Sequence, residues 1–286
     1  MTRPSTTRNA SVGEWRAYLG NRARRRSDGR FLVHGREPIT AAVANGWPLE
    51  AVLYRLGAPL PPWAREVLDD DAVPAIGLVG DALDELAEPG TGTPELVALA
   101  HTRGRDPAQI CLDPAHPVVV IDRPSSALRL GSVLRTAHAF GAAAVVISGS
   151  GADEYDPRCV RASAGALFAV PVVRVSGPPA VAELRAGAKV PARLVGVGTE
   201  PGDRPVDAHT FADATIMVLA DDGVLDARWR DACDAMVRIP AGATPVTPCA
   251  VSVVLYEISR QRRVSVSREN AGAAGQCAGQ VEDRRR

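Results

Sequence analysis

The stretch Val118 to Ser148, VVVIDRPSSALRLGSVLRTAHAFGAAAVVIS, constrains this chain most. An apolar run, Val118 to Ile121, stops at Asp122. A loop follows, and Gly131 opens a helix that carries Arg135 and ends at Gly141. A second apolar run, Ala144 to Ile147, begins at once. An apolar run, a charged loop, a helical stretch and another apolar run make a strand–loop–helix–strand unit. In open α/β sheets, the loop after the first strand lies at the carboxyl edge, where ligands bind.

The same alternation continues along the chain. Strands are expected at Val118–Asp122, Ala144–Ser148, Val170–Val175, Arg193–Val197, Thr215–Leu219 and Met236–Ile239. Helices are expected at Gly131–Phe140, Pro157–Ala164, Ala180–Ala188, Asp226–Ala235 and Cys249–Arg263. This pattern predicts an α/β fold with a mainly parallel sheet and helices on both faces. Upstream, Trp15, Tyr18 and Leu19 lie at helical spacing. Short runs at Arg30–Val33, Leu49–Tyr54, Ala75–Leu78 and Glu95–Ala100 alternate with helical stretches at Pro38–Asn45, Pro62–Leu68 and Asp81–Leu86. They read as a small α/β/α domain over residues 9–101. Residues 102–116, rich in Pro, Asp and Arg, read as a linker to a second domain over 117–263. Residues 1–8 read as a disordered arm, and the Gly-, Ala- and charge-rich residues 264–286 as a disordered tail.

Net charge is zero over 286 residues, so no global field draws the chain to nucleic acid. The charge is unevenly placed, however. Arg3, Arg8, Arg16, Arg22, Arg24, Arg25, Arg26 and Arg30 are opposed near the start only by Glu14 and Asp28. Two readings stand: a solvated arm, or a surface that neutralises phosphates and releases counterions. On the second, Arg22, Arg24, Arg25 and Arg26 contact RNA phosphate. Aromatic content of 4% argues against a broad base-stacking platform. The five cysteines include no C-x-x-C pair, so neither a zinc site nor a disulfide framework is expected, and no metal. No apolar run approaches the length of a membrane span, so a cytoplasmic protein is expected. The five histidines are scattered and give no Ser-His-Asp order; His138 reads as a surface or interface residue.

Several segments carry a resemblance. They are Gly131-Ser132 with Arg135-Thr136-Ala137, Tyr155 to Arg158 (YDPR), Arg161 to Phe168 (RASAGALF), Ile239-Pro240 and Leu255-Tyr256-Glu257. Trp15 to Asn21, Phe31 to Gly35 (FLVHG) and Asn45 to Pro48 (NGWP) extend it upstream. Together they resemble the SpoU-type RNA 2′-O-methyltransferases of the SPOUT superfamily, and among them the avilamycin-resistance type that acts on ribosomal RNA. The resemblance implies an N-terminal RNA-binding domain and a C-terminal methyltransferase domain. It also implies S-adenosylmethionine as cofactor, RNA (ribosomal) as partner, and a homodimer. The last segment, roughly Val195 to Tyr256, would thread a trefoil knot, a rare topology that periodicity cannot reveal.

The resemblance also assigns residues. Arg135 matches an arginine that contacts RNA phosphate and is linked to loss of the ribose 2′-hydroxyl proton. A guanidinium is normally fully protonated, so a phosphate-positioning role is the more modest version. Pairing with Asp122 is the plain structural alternative. Gly198 and Thr199, in GVGTEPG after a strand, match a loop that borders the cofactor. Their G-x-G lacks the dinucleotide-fingerprint spacing, and a simple turn is the alternative. Leu219, Ala220, Asp221, Ile239 and Val246 complete the cofactor-binding set.

Three motifs depart from the family pattern. Arg129-Leu130-Gly131 stands where Asn-x-Gly is usual. The segment Leu219 to Leu225 is shorter by about one residue, with Ala220 at a glycine position and Asp222 standing in for a glutamate. Val246 occupies an asparagine position and lacks the amide's donors and acceptor. Arg135, Arg129 and Asp222 are therefore the expected catalytic residues. The alternative is a non-catalytic RNA-binding protein on a degenerate SpoU scaffold.

Overall fold

The computed structural model describes residues 10–70 and 73–264. The arm expected at 1–8, Arg3, Arg8 and all but Val264 of the tail expected at 264–286 lie outside these residues; Val264 itself is helical. Two helices, α1 (Ala10–Gly20) and α2 (Arg22–Asp28), come first. The Asn21 side chain caps α2 by accepting from the Arg24 amide at 3.0 Å. Gly29 ends the helix at φ +63° and returns an amide to the Arg25 carbonyl. The sequence hides α2 because its buried residue is an arginine, Arg25, so no apolar period marks it.

A four-stranded sheet follows, built from β1 (Arg30–His34), β2 (Leu49–Arg55), β3 (Ala75–Leu78) and β4 (Leu96–His101). Helices α3 (Arg36–Ala44) and α4 (Pro62–Leu68) connect its strands. The order is β1-β4-β2-β3, with β4 antiparallel to both neighbours and β2 parallel to β3. The helix expected at Asp81–Leu86 is a single 3-10 turn, Asp84–Leu86.

The second sheet carries β5 (Val118–Asp122), β6 (Ala144–Ser148), β7 (Val172–Val175), β8 (Ala192–Gly198), β9 (Arg204–Pro205), β10 (Ala214–Ala220) and β11 (Ala235–Arg238). Its helices are α5 (Ala127–Ala139), α6 (Pro157–Ala162), α7 (Ala166–Ala169), α8 (Pro178–Ala186), α9 (Ala227–Ala232) and α10, over residues 247–264. The order is β7-β6-β5-β10-β8-β11-β9, and every pairing is parallel. The chain runs outward from β5 to β7, returns to β8, and then inserts β10 between β5 and β8. That reversal of direction opens a crevice beyond the carboxyl ends of the central strands. Every residue of β5, β6 and β10 is buried, so these strands read as unbroken apolar runs.

Two helices differ from expectation for local reasons. Helix α5 starts at Ala127, about one turn early, because the Ser126 hydroxyl accepts from the Arg129 amide at 3.3 Å. Arg135 therefore sits in its third turn. The helix expected at Pro157–Ala164 stops at Ala162, and a second short one, α7, starts after Gly165 with φ +91°. A β-carbon on Gly165 would lie 2.5 Å from the Ala41 Cβ, so glycine lets α7 reach α3. Gly131 serves the same purpose in α5, where a β-carbon would lie 2.3 Å from the Cys159 carbonyl oxygen.

The stretch expected as a linker does not hold two independent bodies apart. Phe31 of β1 lies 6.3 Å from Phe168 of α7 and 4.7 Å from Tyr155, ring to ring. Trp47 meets Phe168 edge-on at 5.1 Å. Aromatic pairs of this kind contribute about 0.5–1.5 kcal/mol each beyond buried area. One core thus runs through both sheets. No helix among the described residues is long and apolar enough to cross a membrane.

Candidate functional site

A cavity of about 450 Å³ opens at the carboxyl ends of β8, β10 and β11. Val197, Gly198, Leu219, Ala220 and Arg238 form its floor. Thr199, Pro201, Ile239 and the loop 241–245 form its sides, and Thr247 and Ala250 of α10 close it. The volume suits a small-molecule ligand. Among the described residues, the amides of Ala241 to Thr244 donate to no protein acceptor. These residues are exposed, so their amides are open to a ligand or to water. Five of the seven residues expected to bind cofactor line the cavity: Gly198, Thr199, Leu219, Ala220 and Ile239.

The other two do not line it. Val246 is 59% exposed and outside the cavity wall. Its carbonyl instead accepts from the Cys249 and Ala250 amides and starts α10. Asp221 lies beside the cavity as the centre of a polar clasp. Its carboxylate accepts from the Ser125 amide at 2.9 Å and the Ser125 hydroxyl at 2.5 Å. Thr247 donates its hydroxyl to the same group at 3.0 Å, and Arg129 stands 3.5 Å away. Burial pushes the Asp221 carboxyl up, but the Ser125 and Thr247 hydrogen bonds and the Arg129 charge outweigh it. Its pKa lies below the ordinary aspartate value.

This clasp joins the three segments whose sequences depart from the family pattern. The loop before α5 supplies Ser125, α5 supplies Arg129, the position directly after β10 supplies Asp221 and the start of α10 supplies Thr247. Sequence reasoning passed over Ser125 and Thr247. Each is a hydroxyl residue just ahead of a helix start or an N-terminal proline, which is the signal that could have found them. Asp222, expected to stand in for a catalytic glutamate, is exposed. It accepts the Val224 amide at 3.0 Å and shapes a turn. Its neighbour Asp221 makes the contacts to the loop before α5 and to α10.

Arg135 is exposed, and its guanidinium makes no hydrogen bond or ion pair with a described residue. The alternative pairing with Asp122 does not occur, since Asp122 is held by Arg123 at 2.8 Å and the Ser148 hydroxyl at 3.0 Å. His138 is exposed on the same helix. Leu128 and Arg135 are seven residues apart, two turns along one face of α5. Among the described residues, no group of three His, Cys, Asp or Glu could hold a metal ion.

The basic N-terminal cluster divides. Arg25, expected to contact RNA, is 2% exposed. Its Nε donates to Asp153 at 2.9 Å and its Nη1 to the Tyr18 carbonyl at 2.6 Å. It is a strut between α2 and the loop before α6, closed to phosphate. Arg22 is half-buried and donates to the Gly151 carbonyl. Burial and the nearby Arg174 charge lower its pKa. Arg24 and Arg26 are exposed, with Arg24 paired to Asp28 at 2.8 Å.

A parallel sheet with a cleft at its carboxyl edge, closed by the last helix and preceded by a small α/β domain, defines an α/β ligand-binding class of protein. Family models narrow it. Residues 9–98 match the SpoU L30e-like domain and residues 116–247 match the SpoU rRNA methylase family. The chain is 39% identical over 264 residues to the 23S rRNA (uridine(2479)-2'-O)-methyltransferase of Streptomyces viridochromogenes, covering 90% of this chain and 92% of that one. It is 28% identical to an uncharacterized tRNA/rRNA methyltransferase of Mycolicibacterium vanbaalenii, over 84% and 79% of the two chains. In structure it is similar to the SpoU methyltransferase AviRb from Streptomyces viridochromogenes in complex with the cofactor AdoMet. That match has a TM-score of 0.83 and 38% identity and covers 89% of this chain and 98% of the other. This chain belongs to the SpoU rRNA methylase family.

Proposed function

We propose that this chain is an S-adenosylmethionine-dependent 2′-O-methyltransferase of 23S ribosomal RNA. The observation that carries the reading is the cavity at the ends of β8, β10 and β11, in a chain 39% identical to a 23S rRNA 2′-O-methyltransferase. Its residues fit the cofactor. Leu219, Ile239 and Ala250 give apolar walls for a base, and the 241–244 amides give donors. S-adenosylmethionine supplies an electrophilic methyl group on a sulfonium. Methyl transfer is an in-line displacement, so the protein's main task is to aim the ribose oxygen and exclude competing geometries. Arg135 holds a phosphate of the substrate, because its planar guanidinium fork matches phosphate oxygens. Arg129 is held by Ser125 and Asp221 at the cavity's edge, where it presents charge to the same backbone. Arg24 and Arg26 extend the phosphate-binding surface onto the N-terminal domain.

The active form is a homodimer, and the C-terminal segment is knotted. The stripe Val251, Val254, Leu255 and Ile258 faces the chain's own core. The opposite stripe of α10 exposes Val253 at 40% and Tyr256 at 51%, with Val246 before it and Leu128 of α5 at 56%. Exposed apolar residues on α5 and α10 suit a second copy of the chain. A partner covering Leu128 would lie over Arg135 on the same face. The enzyme works in the cytoplasm. Incubation with labelled S-adenosylmethionine and unmodified 23S rRNA tests the reading: stoichiometric methyl incorporation supports it. RNA binding without incorporation would favour the non-catalytic alternative.

A further inference from the structure

Arg238, the last residue of β11, is the one charged residue among those that line the cavity. Its Nε is buried and has no hydrogen-bond partner. Arg22, Arg55 and Arg262 also bury an unpartnered guanidinium nitrogen, but each of them bonds a protein oxygen through another nitrogen. The Arg238 guanidinium alone of these four makes no hydrogen bond or ion pair with a described residue. A buried cationic donor without a partner is costly, so an anionic acceptor is the expected complement. The first turn of the 18-residue helix α10, through Thr247 and Ala250, lines the same cavity and adds the positive end of its dipole.

A cofactor that carries a sulfonium should be repelled by such a wall. The repulsion is removed if an anionic group lies between the two cations. We infer that Arg238 binds the carboxylate of the cofactor's amino-acid tail and thereby fixes which way the tail turns in the cavity. This inference rests on the function proposed above and deepens it: Arg238 selects a zwitterionic ligand over one that lacks the carboxylate. Arg238 was not among the residues picked out by sequence, because an arginine ending a strand carries no motif of its own.

Calorimetry with S-adenosylmethionine and its decarboxylated analogue, which keeps the adenosine, sulfonium and ammonium groups, tests the assignment. The parent protein should bind the analogue about ten- to a hundredfold more weakly, the size expected for a charge-assisted hydrogen bond. Arg238→Gln should weaken S-adenosylmethionine by a similar factor and leave the analogue's affinity in place. Arg238→Lys should recover part of the loss. Thermal melts of both variants report whether the fold is kept, and the comparison of two ligands on the parent needs no variant at all. Equal affinities for the two ligands in the parent would overturn the assignment, as would equal losses for both in Arg238→Gln. A loss confined to RNA binding would also overturn it and would assign the arginine to a substrate phosphate. If the parent bound neither ligand, the proposed function itself would fall, and this inference with it.

Discussion

Thr247 donates its hydroxyl to both the backbone carbonyl and the carboxylate of Asp221, at 2.9 Å and 3.0 Å. Thr247 starts α10, and Asp221 directly follows β10. Their bond pins the helix that closes the cavity to the strand that forms its floor. Thr247→Val should remove it at nearly constant volume. The expected cost is about 1–3 kcal/mol in chemical denaturation, since Asp221 keeps its burial and loses a donor. S-adenosylmethionine affinity should fall as well, because Thr247 lines the cavity. Unchanged stability and unchanged affinity would show that the clasp holds nothing.

Acid should loosen the same clasp. The Asp221 pKa is lowered in the folded protein, so this group contributes stability that is complete above the unfolded value of about 3.9. The contribution is lost as pH falls from there through the folded value. Asp221→Asn removes that dependence. The stability difference between parent and Asp221→Asn should therefore shrink steadily below about pH 4. A difference independent of pH between 6 and 2 (roughly the span over which aspartates titrate) would contradict the assignment.

Arg25 and the exposed arginines near it should separate cleanly. Arg25→Ala leaves Asp153 buried without its partner and should cost about 3–5 kcal/mol in unfolding free energy. Arg24→Ala with Arg26→Ala should leave stability nearly unchanged and flatten the salt dependence of RNA binding, by about 0.9 in log–log slope per lost contact on a duplex segment. A full salt slope in that double variant would remove the N-terminal surface from the RNA interface.

Arg135→Ala is expected to abolish methyl transfer while leaving the melting temperature and cofactor affinity in place. The side chain is exposed, makes no bond with a described residue and does not line the cavity. Retention of most activity would show that phosphate is positioned by other groups, with Arg129 the first to test.

Much of this was legible in the sequence. Strands such as β5, β6 and β10 announce themselves as unbroken apolar runs, and their alternation with helices dictates a parallel sheet. Glycine-bearing loops after strands mark the cleft, and Gly198, Thr199, Leu219, Ala220 and Ile239 do meet there. What stayed hidden depends on contacts between distant segments. Arg25 reads as a surface charge because its partner Asp153 lies 128 positions away. Asp221 and Asp222 are chemically alike and adjacent, and only the fold of the turn decides which one faces Ser125. Val246 falls at an aligned position, yet the start of α10 turns it outward. Arg238 has no local pattern, and its meaning comes from a buried guanidinium nitrogen that no protein oxygen meets.

The central claim is that this chain places a methyl group on a ribose of 23S ribosomal RNA. Its most direct test is mass-spectrometric mapping of 2′-O-methyl nucleotides in 23S rRNA from cells with and without the protein, and with Arg135→Ala in its place. One ribose methylation should be present with the parent protein and lost in both other cases. Identical methylation maps in all three would contradict it.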